Sequence, residues 1–184
     1  MGAELQLTTV RGHALSRRQR AAIVKLINHA YEEDLGSLFE SFPDATHVLG
    51  TVGATPNSGG TLVSHALWIT RWLQIGSGPL LRTAYVELVA TDEAWRGRGF
   101  ASTVMRRVAE EIRDFDIAAL SPFSVAYYAR LGWERWLGPL LIRKEGELLP
   151  TPEDEEVMIL RLPKTPPLDL RSELSVEWRE GEVW

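Results

Sequence analysis

Hydrophobic and polar residues follow two different periods along this chain. The runs at 4–10, 47–54, 61–76 and 81–91 have the composition of β-strands, and TPNSGG between the second and third is typical of a hairpin turn. Between the first two runs, apolar residues recur at helical spacing after Ser16, which we expect to be the helix N-cap. The run 61–76 is apolar on both faces, so we expect this strand to be covered on both sides.

The second half of the chain predicts one long helix and several shorter elements. An apolar stripe from Phe100 to Ile112, opposite a charged face, predicts a helix that follows Gly99. The remaining predictions are a loop or short helix at 34–42, a buried strand at 116–120, a short helix at 124–131, and strands at 133–144 and 155–162, the last closing the sheet. This order predicts an α+β fold, a mixed sheet with helices on its faces, in one domain over 1–184 with a C-terminal tail at 163–184.

Composition excludes several classes of function. The net charge of −5, without a visible basic face, argues against nucleic-acid binding and is compatible with a cationic partner. The absence of cysteine excludes disulfides, thiolate metal sites and a cysteine nucleophile. We interpret the four histidines as scattered surface or packed residues, and therefore expect no metal site. Four tryptophans are expected in the core (Trp68, Trp72, Trp133 and Trp136), and no run is long enough for a membrane helix, so we expect a cytoplasmic protein.

The segment AWRGRGFAS at 94–102 stands at the junction between a predicted strand and a predicted helix. A glycine-containing loop that enters a helix directs backbone N–H groups, with the helix dipole behind them, towards one place, and such a place binds anions. Arg96 and Arg98 add positive charge, and the glycines allow close approach of a phosphate. The alternative interpretation is a tight strand-to-helix turn that carries two surface arginines.

This segment, Arg96-Gly97-Arg98-Gly99-Phe100-Ala101, resembles the pyrophosphate-binding signature of the GNAT superfamily of acetyl-CoA-dependent N-acetyltransferases. The tail LDLRSELSVEWREGEVW, with YVELVAT, TPEDEE and YARLGW, is similar to the aminoglycoside 2′-N-acetyltransferases. The resemblance implies a largely antiparallel mixed sheet with a splayed parallel strand pair, acetyl-CoA as co-substrate, and a small cationic substrate. It implies no metal, nucleic acid or membrane partner. Related enzymes are often homodimers, although the sequence itself does not fix the oligomeric state.

The resemblance places the coenzyme along one strand and the loop that follows it. The pantetheine arm would lie beside 81–91, splayed from 116–121, and bind main-chain groups of this strand, because strands that separate leave backbone groups available. The residues implied for coenzyme binding are Leu88, Val89, Thr91, Arg96, Gly97, Arg98, Gly99, Phe100 and Ala101.

Two catalytic residues are implied by the same resemblance. Glu87, in an apolar strand, would be the general base that deprotonates the amine through water, with a pKa raised by burial. The alternative is a glutamate that faces solvent or forms a structural ion pair. Tyr128 would protonate the departing thiolate; its neighbour Tyr127 is the alternative, and either tyrosine could instead belong to the core. The donor to the thioester oxygen would be the N–H of Leu88 or Val89.

For the ammonium groups of an aminoglycoside, the resemblance implies carboxylates and hydroxyls in the substrate site. The implied residues are Asp34, Glu87, Ser121, Asp154, Glu182 and Trp184, the last through its terminal carboxylate. The chain departs from the family after Asp34, where Leu38-Phe39 replaces an acid, and at the shortened segment Ser121-Pro122-Phe123-Ser124. These departures are compatible with a smaller aminoglycoside such as kasugamycin. The alternatives are an acetyltransferase for another small amine or a peptide amine, and a coenzyme-binding module without turnover.

Overall fold

The structure, a computed structural model, describes residues 4–55, 59–152 and 154–184. Residues 56–58, in the predicted hairpin turn, and Glu153, in the TPEDEE motif, lie outside the described residues. Contacts divide the chain into two compact units: the first runs to Ile69 and resumes over Val86–Glu111, and the second comprises Thr70–Tyr85 and Ile112–Trp184. Strands β3 (Thr61–Ile75) and β4 (Leu80–Thr91) each contribute residues to both units.

The first unit combines an antiparallel strand arrangement with three helices. Strand β1 (Leu5–Arg11) pairs with β2 (Thr46–Val52), and β2 pairs with β3, with a bulge between Gly50 and Thr51. The helices are α1 (Arg17–Tyr31), α2 (Gly36–Glu40) and α3 (Phe100–Glu111). The sequence predicts these elements correctly, and the segment 34–42, left open between loop and helix, contains the short helix α2.

Helix α1 begins where its local sequence predicts. Ser16 Oγ accepts a hydrogen bond from the Gln19 N–H at 3.2 Å, and Gln19 Oε1 accepts one from the Ser16 N–H at 2.9 Å. This capping box satisfies two N–H groups at the helix start. The helix buries Ile23, Leu26 and Ile27 in the apolar core of the first unit.

The second unit is built mainly from short strands. They are β5 (Ile117–Leu120), β6 (Glu134–Arg135), β7 (Leu140–Lys144), β8 (Glu147–Pro150), β9 (Met158–Arg161) and β10 (Leu174–Glu177), with the short helix α4 (Val125–Ala129) after β5. Their order, with the parts of β3 and β4, is β6-β9-β5-β4-β3-β10-β7-β8. The β4–β5 and β7–β10 pairs are parallel, whereas β5–β9, β6–β9, β7–β8 and β3–β10 are antiparallel.

The parallel register of β4 with β5 is short, as the predicted splayed pair requires. It covers Thr83–Tyr85 opposite Ile117–Ala119, after which β4 continues to Thr91. Leu120, the last residue of β5, pairs with Met158 of β9.

Three expectations about the second unit are wrong. The predicted strand 133–144 is two strands, because its middle bends against the tail: the N–H groups of Leu137 and Gly138 both donate to Leu170 O at 2.9 Å. A Cβ at Gly138 would lie 2.0 Å from Ser172 O, so only glycine permits this approach. The segment 155–162 does not supply the closing strand, since β10 lies within the tail and inserts between β3 and β7.

The third error concerns Trp72. Trp68, Trp133 and Trp136 are buried as expected, but Trp72 is 44% exposed. The buried position beside it on β3 belongs to Arg71, whose side chain is 2% exposed. Over these residues β3 is therefore not apolar on both faces.

Candidate active site

The junction between β4 and α3 forms a compact turn. Asp92 Oδ1 accepts a hydrogen bond from the Ala94 N–H at 3.0 Å, and the Arg96 N–H donates to Glu93 O at 3.2 Å. The amide of Arg96 is thus used inside the turn. A contribution of Arg96 to anion binding would therefore come from its exposed side chain.

Gly97 and Gly99 adopt the left-handed conformation that the loop requires. Their φ angles are 77° and 79°, and a Cβ at either position would meet nothing within 4 Å. Conformation, not space, therefore demands glycine here. Thr103 donates to Gly99 O through its N–H at 3.0 Å and its hydroxyl at 3.1 Å, so α3 starts directly after the second glycine.

Aromatic side chains order the arginine side of this loop. The Arg98 guanidinium lies 4.7 Å from the centre of the Trp95 ring, which stacks on Phe100 at 5.8 Å. Arg96, Gly97, Arg98 and Gly99 are all exposed. An exposed positive loop at a helix start, on the first unit, is the arrangement expected of an anion site.

Glu87 stands on β4, a few residues before this loop, and is half-buried. The next residue, Leu88, has φ 51°, which is unusual for a residue other than glycine and interrupts the regular strand. Val89 and Thr91, two of the predicted coenzyme contacts, already have hydrogen-bond partners within the protein. Val89 O accepts from the Tyr31 hydroxyl at 3.1 Å, and Thr91 Oγ1 lies 2.8 Å from Ser64 Oγ.

Tyr127 and Tyr128 lie on α4 of the second unit and differ in exposure. Tyr128 is 5% exposed, and its ring packs edge-on to Tyr127 at 5.0 Å and to Trp133 at 6.1 Å. Tyr127 is half-buried. Tyr128 is therefore the more deeply buried of the two phenols.

Asp34, the predicted ammonium ligand of the first unit, also has a structural role. Its Oδ1 accepts from the Gly36 N–H at 3.0 Å and from Asn28 Nδ2 at 3.2 Å. These bonds fix the turn from α1 into α2. Phe39 stands where the chain departs from the family pattern. It is 3% exposed and its ring contacts that of His47, so this side chain contributes to core packing.

The second unit gathers carboxylates near the C-terminus. Asp154 and Glu182 are exposed, and both act on the pKa of Glu155. Burial raises the pKa of Glu155, and the negative charges of Asp154 and Glu182 raise it further. Asp154 and Glu182 thus act on the same carboxyl group, that of Glu155, which is itself exposed.

The chain end is held in place by a buried arginine and an indole. Trp184 is 4% exposed, and its Nε1 donates to Thr151 Oγ1 at 2.8 Å. Arg71 Nη1 donates to Val183 O, and Arg71 Nη2 donates to Glu177 O at 2.5 Å. The buried indole of Trp184 and the guanidinium of Arg71 thus hold the segment 177–184 in place.

A cavity of about 480 Å³ opens in the second unit beside these residues. Thr151, Glu155 and Glu156 contribute to its wall, together with Arg135 and the segment 136–141. The predicted site residues do not belong to its lining. Ser121 lies exposed just after β5, and Phe123, two residues later, is 96% exposed.

Sequence reasoning missed two arrangements of buried polar residues. His47 and His65, interpreted as scattered, are neighbours: His47 Nδ1 lies 3.0 Å from His65 Nε2. Their contact depends on the register between β2 and β3, for which the sequence carries no local pattern. Arg71 had a clearer signal, because an arginine amid the apolar residues of β3 needs buried partners. Among the described residues, no group of three or more potential ligands could hold a metal ion.

Comparison with known proteins identifies the class. The family model described as "Acetyltransferase (GNAT) domain" matches residues 14–136. An aminoglycoside 2′-N-acetyltransferase from Mycolicibacterium fortuitum is 34% identical over 176 residues, which are 92% of this chain and 87% of that protein. The chain therefore belongs to the GNAT acetyltransferase family, and it is an acetyl-CoA-dependent acyltransferase.

Solved structures agree on the fold. A GNAT family N-acetyltransferase from Escherichia coli, in complex with CoA, superposes with a TM-score of 0.68 at 15% identity, over 98% of this chain and 92% of that one. An N-acyl amino acid synthase from uncultured soil microbes gives a TM-score of 0.59 at 15% identity, over 89% and 93%. The predicted fold class is confirmed. Among the described residues, no helix combines the length and apolar character needed to cross a bilayer.

Proposed function

We propose that this enzyme transfers acetyl from acetyl-CoA to the 2′-amino group of an aminoglycoside. The observation that carries this assignment is the 34% identity, over 92% of the chain, to a named aminoglycoside 2′-N-acetyltransferase, and the exposed acids Asp154, Glu155 and Glu182 of the second unit are compatible with it. An aminoglycoside presents several ammonium groups, and clustered carboxylates match them.

In the proposed reaction, the carboxylate of Glu87 removes a proton from the substrate ammonium through a water molecule. The freed amine forms a bond to the thioester carbonyl carbon, and the oxygen acquires negative charge. When the C–S bond breaks, the Tyr128 hydroxyl supplies the proton that the coenzyme thiolate takes up, and the second proton, which the nitrogen loses as the amide forms, restores that hydroxyl through solvent. A phenol is a suitable donor, since its ordinary pKa near 10 is within about two units of that of a thiol.

For the coenzyme, we propose that the diphosphate binds at the start of α3. Support comes from the left-handed Gly97 and Gly99, which direct the backbone into the helix, and from the guanidinium groups of Arg96 and Arg98. The N–H groups of Phe100 and Ala101 open the helix and would be the backbone donors. Holding both reactants in place would supply a large part of the rate enhancement, roughly 7–11 kcal/mol in favourable cases.

The substrate pocket differs from the family pattern in a way that favours a smaller aminoglycoside. Phe39 is part of the core, so a packed aromatic side chain stands where the family pattern has an acid after Asp34. Kasugamycin has a 2′-amine and no deoxystreptamine ring, and it therefore needs fewer acidic ligands. We accordingly include it as a candidate substrate, and the proposed biological consequence is antibiotic resistance.

The assignment is tested by measuring thiol release from acetyl-CoA with kanamycin, gentamicin, tobramycin, kasugamycin and simple polyamines as acceptors. We expect turnover with at least one aminoglycoside and a product acetylated at the 2′ position by NMR. Turnover with polyamines or peptides alone would reject the aminoglycoside assignment. Coenzyme binding without turnover on any acceptor would favour a regulatory module. Expression in a susceptible bacterium, with growth measured against each drug, tests the resistance role.

A further inference from the structure

Two buried histidines lie beside Leu88, the residue of β4 that has a positive φ angle. His65 Nδ1 lies 3.0 Å from Leu88 O, and His47 Nδ1 lies 3.0 Å from His65 Nε2. The two residues are 0% and 1% exposed respectively. Phe39 packs against His47 on the side of α2, with ring centres 5.7 Å apart. The two imidazoles thus form a chain of hydrogen bonds that ends on a backbone carbonyl.

The direction of this chain is fixed by chemistry. A carbonyl oxygen only accepts hydrogen bonds, so His65 Nδ1 carries the proton that it donates to Leu88 O. The Nε2 atom of neutral His65 is then an acceptor, and His47 Nδ1 is its donor. Burial and the nearby Arg20 lower the pKa of His47 to about 4, and burial and His47 lower that of His65 to about 3. Both rings are therefore neutral near pH 7 and keep these tautomers.

Arg20 is the charged group that acts on the histidine pair, through the pKa of His47. Arg20 of α1 is the cation that acts on His47, and its guanidinium lies 3.8 Å from the carboxylate of Glu40 on α2. Arg20 also donates to Gly12 O at 2.7 Å. A guanidinium cannot accept a hydrogen bond, so Arg20 does not compete with Leu88 O as the acceptor for His65 Nδ1.

The Leu88 carbonyl determines where the next amide points. Leu88 has φ 51°, a conformation that costs energy for a residue with a side chain and needs external support. The described peptide bonds include no cis bond, so the Val89 N–H points in the direction opposite to Leu88 O, away from His65. The Tyr31 hydroxyl donates to Val89 O at 3.1 Å and holds the following peptide.

We infer that His65, oriented by His47, is a positioning residue that fixes the Leu88–Val89 peptide so that the Val89 N–H donates to the thioester oxygen. Leu88 and Val89 were equal candidates for this role in the sequence, and the carbonyl–histidine bond selects Val89. Negative charge grows on the oxygen as the amine attacks, and a donor already in place stabilises that charge without reorganisation. The inference rests on the proposed placement of acetyl-CoA along β4.

The test compares His65→Leu with His65→Asn. Leucine fills a similar volume and removes the donor, whereas the asparagine amide nitrogen occupies nearly the position of His Nδ1 and retains it. His47→Leu removes only the residue that orients His65. His29→Leu is the control, because His29 is an exposed histidine on α1.

Two quantities are measured for each variant. The first is the infrared carbonyl stretch of [1-¹³C]acetyl-CoA bound to the protein without an acceptor, which reports polarisation of the thioester. The second is kcat with the best acceptor, alongside the Kd of CoA by calorimetry. We expect the stretch to shift to lower frequency on binding to the wild type, and this shift to be lost in His65→Leu and partly kept in His65→Asn. We expect kcat to fall at least about tenfold in His65→Leu, since removing an oxyanion donor costs roughly 10²–10³, while the Kd of CoA changes less than about twofold.

The infrared result separates this inference from the substrate assignment. If no aminoglycoside is acetylated but the shift is present and depends on His65, the positioning role stands and the substrate proposal fails. If an aminoglycoside is acetylated and His65→Leu keeps both the shift and kcat, the positioning role is wrong. Equal loss in His65→Leu and His65→Asn would also overturn it, because asparagine retains a donor for Leu88 O and leucine does not. If His65→Leu does not fold, His47→Leu provides the same comparison: an unchanged shift there contradicts the inference.

Discussion

Arg71 on β3 and Glu177 on the tail strand β10 form an ion pair whose arginine is almost completely buried. Nε lies 3.1 Å from Oε1, and the side chains are 2% and 39% exposed respectively. The same guanidinium donates to the carbonyls of Glu177 and Val183, so one side chain of β3 holds two points of the tail. Burial lowers the pKa of Arg71, which the charge of Glu177 opposes. The tail that carries Glu182, one of the proposed substrate acids, thus depends on one arginine.

We predict that Arg71→Met lowers the free energy of unfolding by about 2–3 kcal/mol, because several hydrogen bonds to a buried cation are lost. It should also raise the KM for the aminoglycoside while leaving that for acetyl-CoA nearly unchanged. Urea unfolding followed by tryptophan fluorescence gives the first quantity, and steady-state kinetics the second. The matched control is Arg161→Met, which breaks a surface pair with Glu134 whose side chains are 42% and 39% exposed. An exposed pair contributes less than about 1 kcal/mol, so equal losses in the two variants would contradict the prediction.

We predict that alanine at either loop glycine weakens the binding of acetyl-CoA without a comparable effect on the aminoglycoside. Alanine at Gly97 or Gly99 meets no atom, but the left-handed conformation costs it roughly 1–2 kcal/mol, a factor of about 5–30. We expect the KM for acetyl-CoA to rise by this factor, and that for the aminoglycoside to change little. Gly146→Ala is a close control, since Gly146 has φ 88° and no neighbour within 4 Å, in the turn between β7 and β8. A similar rise of the KM for acetyl-CoA in the control would show a general loss of stability.

Glu87→Gln is expected to lower kcat by roughly 10²–10⁴, the usual contribution of a general base, with the affinity for CoA retained. Glutamine keeps the size of the side chain and removes its ability to accept a proton. The measurement is kcat by thiol release across pH 6–9 together with CoA binding by calorimetry. Glu33→Gln, at an exposed glutamate after α1, should behave as wild type. Full activity of Glu87→Gln near neutral pH would exclude Glu87 as the base.

The acid cluster predicts a pH dependence of substrate binding. Because burial, Asp154 and Glu182 raise the pKa of Glu155, deprotonation of Glu155 occurs above its ordinary range and adds a negative charge there. The affinity for a polycationic aminoglycoside should therefore increase as the pH rises from about 4.5 upwards. Glu182→Gln should lower the pKa of Glu155 and weaken binding severalfold, as measured by calorimetry over pH 5–7. The exposed Glu180 of the same tail supplies the control Glu180→Gln, and equal weakening by the two variants would contradict a specific role for Glu182.

The buried histidine pair predicts acid sensitivity of the fold. Both pKa values lie below the unfolded value near 6.5, at about 4 for His47 and about 3 for His65, so the unfolded chain binds more protons as the pH falls below 6.5. The contribution of the two neutral histidines to the free energy of unfolding is complete above pH 6.5. It is lost progressively as the pH falls towards 4 and 3. Well below pH 6.5, each histidine lowers the free energy of unfolding by about 1.4 kcal/mol for every pH unit of further acidification, until the pH reaches its folded pKa. Urea unfolding of the wild type and His65→Leu between pH 5 and 6.5 should show a smaller slope in the variant, and His29→Leu should retain the wild-type slope. Identical slopes in all three proteins would contradict the assigned pKa values.

Local features of the fold could be predicted from sequence because their causes are local. Ser16 and Gln19 are three residues apart and form the capping box by themselves. Gly97 and Gly99 permit the left-handed backbone whatever lies around them. The apolar stripe of α3 follows from helical periodicity alone. These features, together with the motif they resemble, were sufficient to predict the family and the element that would bind the coenzyme.

Register and strand insertion could not be predicted in this way. His47 and His65 are eighteen positions apart and meet only because β2 and β3 pair antiparallel, with Leu49 opposite His65 and Leu67 opposite His47. Strand β10 is four residues long, and its pairing with β3 and β7 gives no periodic signal in the tail. The break of 133–144 depends on Gly138 meeting the backbone of Ser172, far along the chain.

The sequence alone determined the positions of the main helices, the glycine loop and the chemical types available for acetyl transfer, because these depend on residues within one or two helical turns. The tertiary structure alone decided that Arg71 holds the tail, that the charges of Asp154 and Glu182 act on Glu155, and that His65 engages the carbonyl of Leu88. Such contacts join residues remote in sequence, and their energies depend on burial, which exists only once the chain has folded.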